Sequence, residues 1–90
     1  MHEDNYMSRN QVYEQLITVF QDVFDEDDIQ IGDSTSAKDI SGWDSMNHIN
    51  LVLGAEQEFG VKFKTAEVAQ LANVGEFVDL ILAKLSKQAI

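Results

Sequence analysis

The sequence predicts an all-α fold: a small helical bundle of three longer helices and one short helix, with a long loop between the first and second. Three observations carry this. Apolar residues recur at helical spacing in three stretches, Val12 to Phe24, Met46 to Phe59 and Phe77 to Leu85. No stretch alternates apolar with polar residues as a half-buried strand does, and there is no proline to break a helix. Each stretch also follows a residue suited to capping a helix start. The 90 residues make one domain, which at this size buries roughly 60–65% of its unfolded surface.

Residues 1–7 are polar and aperiodic, and are expected to be a flexible N-terminal tail or an expression remnant, with Met7 an internal start. The domain proper is expected over residues 8–90. Ser8 followed by Gln11 forms a capping box. Val12, Leu16, Val19, Phe20, Val23 and Phe24 then make one face, widened by Tyr13 and Ile17, of a first helix ending near Phe24. The run Asp25-Glu26-Asp27-Asp28 is not a calcium loop. Ile29 stands where a third ligand belongs and no glycine follows at the required turn. A solvated acidic helix end is the expectation.

From Ile29 to Trp43 the chain is rich in Gly, Ser, Thr and Asp and has no period. A loop this long in a small domain is functional or anchored. Ile29, Ile31 and Ile40 are the expected anchors, with a short helical turn around Ser36 to Asp39.

Gly42 breaks the chain, Asp44 caps, and a second helix is predicted from about Ser45 to Phe59. At 100° per residue it carries two apolar stripes. Leu51, Val52, Ala55 and Phe59 form one, expected in the core. Met46, Ile49 and Leu53 form the other. Asn47, Asn50, Gly54, Gln57 and Glu58 fill the polar side. One stripe suffices to bury a helix on a core. The second is therefore a channel lining for an acyl chain, a partner surface, or core in a sandwiched helix.

Gly60 ends the helix as a left-handed cap residue. Val61 and Phe63 anchor an extended link. Thr65 is expected to cap a short helix over Ala66 to Leu71. Asn73 and Glu76 form another capping box. Phe77, Val78, Ile81, Leu82 and Leu85 mark a last helix to about Lys87, with Lys84 and Lys87 suiting its negative end.

The net charge is −10, with only six basic residues. Nucleic-acid affinity is built on Lys and Arg, so nucleic acid is excluded as a partner. Anionic membrane surfaces are disfavoured for the same reason. The charge suits solubility and steering toward enzymes with basic patches. No apolar run reaches membrane-span length and no leader opens the chain, so a cytoplasmic monomer is expected. There is no cysteine, so any thiol chemistry must come from outside the chain.

The chemistry is expected at Ser45, in the first turn of the second helix. The first N–H groups of a helix lack internal partners and the dipole there is positive. A phosphate ester on Ser45 would sit well at such a place. The run Asp44-Ser45-Met46, with Glu56-Gln57-Glu58-Phe59-Gly60-Val61 closing the same helix, resembles the signature of acyl carrier proteins. The order of elements and the loop length extend the resemblance from about Ser8 to Ser86. It implies that a phosphopantetheinyl transferase attaches the 4′-phosphopantetheine arm of coenzyme A to Ser45. The arm's thiol would hold acyl or aminoacyl thioesters for biosynthetic enzymes, and the protein itself would catalyse nothing. By the same resemblance Asp44 is a motif residue as well as a cap.

Two features depart from fatty-acid-synthase carriers. Asn47, His48 and Asn50 replace the acidic residues usual after the Ser, and Gly42-Trp43 resembles freestanding carriers of specialised fatty acid, polyketide or nonribosomal-type pathways. Trp43, Asn47 and His48 therefore join Met46, Ile49 and Leu53 as the expected partner or cargo surface. A small acidic helical adaptor, binding a partner without modification, is the alternative. A Ser45–His48 hydrolase pair is disfavoured, because neither an elbow motif nor an orienting acid accompanies it. His2 and His48 lack metal-ligand spacing, so no metal is expected.

Overall fold

The computed structural model describes residues 8–88, with side chains to Ser86. The expected tail over residues 1–7, with His2 and Met7, and the Lys87 side chain lie outside the described residues. The fold is all-α, with helices α1 (Arg9–Phe24), α2 (Ser45–Phe59), α3 (Thr65–Ala69) and α4 (Val74–Gln88). The longer three match the predicted elements. No strand occurs among the described residues.

Helix α1 starts as the sequence predicts. Ser8 Oγ accepts from Gln11 N at 3.1 Å and Gln11 Oε1 accepts from Ser8 N at 2.8 Å. It ends on Asp25, at φ 55°, a left-handed position that Asp tolerates because its short polar side chain can bond locally. The core is the seam where α1, α2 and α4 meet. Val12, Leu16, Val19 and Phe20 pack there with Leu51, Ala55 and Phe59, and with Val74, Phe77, Val78, Ile81 and Leu85. Burying one such side chain contributes about 1.5–3 kcal/mol. Exposed ion pairs contribute little by comparison, so the apolar seam holds the bundle.

Gly54 departs from the expected polar side of α2. A Cβ there would come within 2.8 Å of Val19 Cγ1, so Gly54 lies against α1. Its missing side chain lets the two helices approach closely, which raw helical phase does not reveal.

Ile40 is buried and Ile29 and Ile31 are partly buried against the core, so the loop is anchored as expected. Ser36 to Asp39 forms a turn, with Asp39 N donating to Ser36 O at 2.9 Å, rather than an α-helix. The loop also caps α4. Val74 N donates to Thr35 O at 2.8 Å and Gly75 N to Asp33 O at 3.0 Å. These carbonyls satisfy N–H groups that a helix start otherwise leaves orphaned. The Asp33 carboxylate accepts from Arg9 at 2.8 Å and from the Tyr13 hydroxyl, and Arg9 also reaches Asp79 at 2.5 Å. Burial, and then the bond to Asp33, push the Tyr13 hydroxyl up to about 12. The same Tyr13 bond, with Arg9, holds Asp33 below the usual carboxylate range.

Two short boundaries differ from expectation. The residue before α3 is Lys64, not Thr65, and α3 ends at Ala69 instead of Leu71. Glu67 explains the start, since its carboxylate accepts from Lys64 N at 2.8 Å. Asn73 Oδ1 does accept from Glu76 N at 2.9 Å, but Glu76 reaches back to Ala72 N at 2.8 Å instead of closing the box on Asn73.

Candidate functional site

The site is the junction of loop and α2. Gly42 has φ 89°, a conformation that side-chain-bearing residues rarely adopt, and it turns the chain into the helix. Asp44 N donates to Gly42 O at 2.9 Å. The Asp44 carboxylate accepts from Asn47 N at 2.9 Å, which makes Asp44 the N-cap in extended backbone. The Asn47 side chain closes the turn. It donates to Gly42 O at 2.7 Å and accepts from Asn50 Nδ2 at 3.1 Å. Ser45 is the first residue of α2 and is exposed. The capped start leaves the N–H groups of Ser45 and Met46 beside that hydroxyl, at the positive end of the helix.

Trp43 and His48 were expected on the partner surface, and both turn inward. Trp43 packs edge-on to Phe20, with ring centroids 5.4 Å apart, and lies 6.3 Å from Phe24. His48 stacks on it at 6.1 Å. Trp43 Nε1 donates to His48 Nδ1 at 3.2 Å, while His48 Nε2 lies 3.0 Å from Val68 O. An indole N–H only donates, so Nδ1 must accept and Nε2 must carry the proton toward Val68. The imidazole is thus a strut from the loop to α3. With both ring nitrogens engaged, it has no free lone pair for Ser45, and the arrangement lacks the nucleophile–base contact a hydrolase needs. Asn47 is half-buried for a similar reason, its amide being part of the turn.

The second stripe stands in the open. Met46 is 73% exposed, Ile49 59% and Leu53 50%, so it is not core. Beside it an apolar groove of about 350 Å³ runs between α2 and α3. Ile49, Val52 and Leu53 line one side, and Phe63, Thr65 and Val68 the other. By helical rise it extends from roughly 4.5 to 16 Å beyond Ser45, taking His48 and Glu56 as its ends on α2. Sequence reasoning assigned Val52 to the core and missed the α3 side, because helical phase says nothing about which element packs opposite. Glu56 holds the far end, accepting from Phe63 N at 2.9 Å. Lys84 Nζ reaches the Glu67 carboxylate at 2.9 Å and ties α3 to α4. Backbone and ammonium donors together hold Glu67 below the usual carboxylate range.

Among the described residues no group of three or more His, Cys, Asp or Glu side chains is placed to hold a metal ion. Among them, too, no helix is long and apolar enough to cross a membrane.

Comparison with known proteins matches this geometry. The phosphopantetheine attachment site family matches residues 14–81. An acyl carrier protein of Thermotoga maritima is 30% identical over 78 residues, spanning 87% of this chain and 96% of that protein. One of Coprothermobacter proteolyticus is 25% identical over 79 residues, spanning 88% and 96%. The solution structure of a holo acyl carrier protein from Geobacter metallireducens superposes with a TM-score of 0.80 at 39% identity, covering 86% of this chain and 88% of that one. With the family matched over most of its length, this chain belongs to the acyl carrier proteins, non-catalytic carriers whose prosthetic group is 4′-phosphopantetheine.

Proposed function

We propose that Ser45 is the attachment residue, and that the α2–α3 groove shelters the cargo. One observation carries this: an exposed hydroxyl at the first position of α2, one helical turn from an open apolar groove. The hydroxyl fits a phosphodiester because it is accessible and lies beside the N–H groups of Ser45 and Met46 at the helix start. In the attachment step the Ser45 oxygen bonds to the phosphorus bearing the pantetheine arm. The pyrophosphate link of coenzyme A breaks, adenosine 3′,5′-bisphosphate leaves, and the hydroxyl proton passes to the transferase. Once attached, the arm supplies the thiol that a chain without cysteine lacks. Asp44 fixes the backbone that aims the hydroxyl. The cargo is an acyl or aminoacyl group.

The carrier serves a specialised fatty acid, polyketide or nonribosomal-type pathway rather than a housekeeping synthase. Asn47, His48 and Asn50 after the Ser support that reading, as does Gly42-Trp43 before it. Its partners are a phosphopantetheinyl transferase and acyl- or aminoacyl-transferring enzymes. They meet Met46, Ile49 and Leu53 on α2 and are drawn by the net charge of −10 to basic patches of their own. The protein works as a cytoplasmic monomer.

Incubation with coenzyme A and a broad-specificity transferase, followed by intact mass, tests the assignment. One phosphopantetheinyl group is expected on the parent chain and none on Ser45→Ala, with unfolding unchanged. Modification that persists in Ser45→Ala, on Ser41 or elsewhere, refutes Ser45. No modification of the parent chain favours the unmodified adaptor.

A further inference from the structure

The imidazole of His48 lines two cavities at once. One is the α2–α3 groove of about 350 Å³. The other is a smaller inner cavity of about 70 Å³, whose lining includes Trp43, Leu71 and Phe77. We propose that His48 is the end wall of the groove, closing it from the inner cavity and so limiting the length of acyl chain this protein can shelter. This rests on the reading of the groove as the cargo site.

The wall is unusually well held for a side chain in the first turn of a helix. Nδ1 accepts from the Trp43 indole at 3.2 Å and Nε2 faces Val68 O at 3.0 Å. The ring also stacks on Trp43, which Phe20 and Phe24 fix in turn. A ring pinned at both nitrogens and on one face cannot swing aside without losing all three contacts. Val68 belongs to the opposite side of the groove, so the Nε2 contact closes the gap between α2 and α3 at this point. Beyond the ring the inner cavity exceeds what a single water needs, and Leu71 and Phe77 make it apolar. His48 is the one residue that lines both.

The experiment loads the protein, through a transferase, with straight saturated acyl groups of increasing length and reads Tm. Cargo held by the folded state alone raises Tm. In the parent chain Tm should rise with length and then level off where the chain meets His48. In His48→Ala the plateau should move to longer chains, since the space of the ring and the cavity of about 70 Å³ behind it both become available. The same plateau in both proteins overturns the wall while leaving the groove as cargo site. A Tm independent of length in the loaded parent chain overturns both. The parent chain alone gives a second reading by NMR, for use where His48→Ala does not fold. Acyl loading should move the signals of Val52, Leu53 and Val68. Those of Leu71, Phe77 and the Trp43 indole, the sole tryptophan, should stay in place. Movement of Leu71 and Phe77 with His48 intact overturns the proposal.

Discussion

The exposed stripe of α2 offers the sharpest test of how this helix divides its labour. Replacing Met46, Ile49 and Leu53 singly by Ala removes apolar volume beside Ser45, with Leu51→Ala as the core control. Truncating a fully buried Leu, Ile or Met costs about 2–5 kcal/mol, and Leu51 is 0% exposed, so its variant should fall in that range. Scaling by the fraction buried gives roughly 1–2.5 kcal/mol for Leu53, which is 50% exposed. The same scaling gives roughly 1–2 kcal/mol for Ile49 at 59% and roughly 0.5–1.4 kcal/mol for Met46 at 73%. Helix propensity offsets little for Leu53 and Met46, since Leu and Met are already nearly as good as Ala, and recovers roughly a few tenths of a kcal/mol for the β-branched Ile49. Urea unfolding reads the stability, and the rate of transferase modification reads recognition. Each stripe variant should lose less stability than Leu51→Ala, Met46→Ala the least, and Met46→Ala should be modified more slowly. Losses as large as that of Leu51→Ala in both Met46 and Leu53 variants, with normal modification of the folded fraction, would return the stripe to the core.

Three other substitutions separate competing effects. Asp44→Ala should cost about 0.5–2 kcal/mol through loss of the cap to Asn47 N, and should slow modification; a variant unchanged in urea unfolding and in mass-spectrometric modification rate shows that Asp44 does neither. Gly75→Ala gains up to about 1 kcal/mol of helix propensity, but the new Cβ would come within 2.8 Å of Asp33 O. That backbone must shift, which weakens two hydrogen bonds at about 0.5–1.5 kcal/mol each and disturbs the Arg9–Asp33 contact, so the net effect measured by urea should be destabilising; a stabilised variant refutes the loop-as-cap account. Tyr13, ordinarily near 10, is pushed up to about 12 in the folded state, so it binds its proton more tightly there than when unfolded. Its contribution is complete below about pH 10 and is lost as pH rises toward about 12, so a stability–pH curve should fall there in the parent chain and less in Tyr13→Phe.

The helices were legible because their signals are local. Ser8 with Gln11, Asp44 with Asn47 N, and Gly60 at φ 67° act within one turn, and the apolar spacing of α1 and α4 names their buried faces. The exposure of Ser45 followed from the same rules. What the chain did not disclose depends on packing between distant segments. Gly54 reads as polar-side filler until Val19 is placed against it. His48 and Trp43 read as surface residues because both flank Ser45 where this chain departs from fatty-acid-synthase carriers. Only the approach of Val68, 20 residues on, gives the imidazole its second partner. The α3 boundaries failed for another reason. Thr65 carries the better capping side chain, yet Glu67 satisfies Lys64 N from inside the helix and moves the start one residue earlier.

The four helices are not held alike. α1, α2 and α4 each contribute fully buried side chains to one seam, and separating any of them exposes several at about 1.5–3 kcal/mol apiece. α3 contributes none. It is tied to the rest of the bundle by polar contacts at two points, Glu67 to Lys84 and Val68 O to His48. Local opening follows the lowest cost, which falls on the element with the fewest buried apolar contacts. The α3 wall is therefore the side of the groove that can yield without disturbing the seam. α2, capped by Asp44 and packed on α1 through Gly54, carries Ser45 on the well-held side of the groove. The same helix is held in the core on one face and forms one lip of the groove on the other.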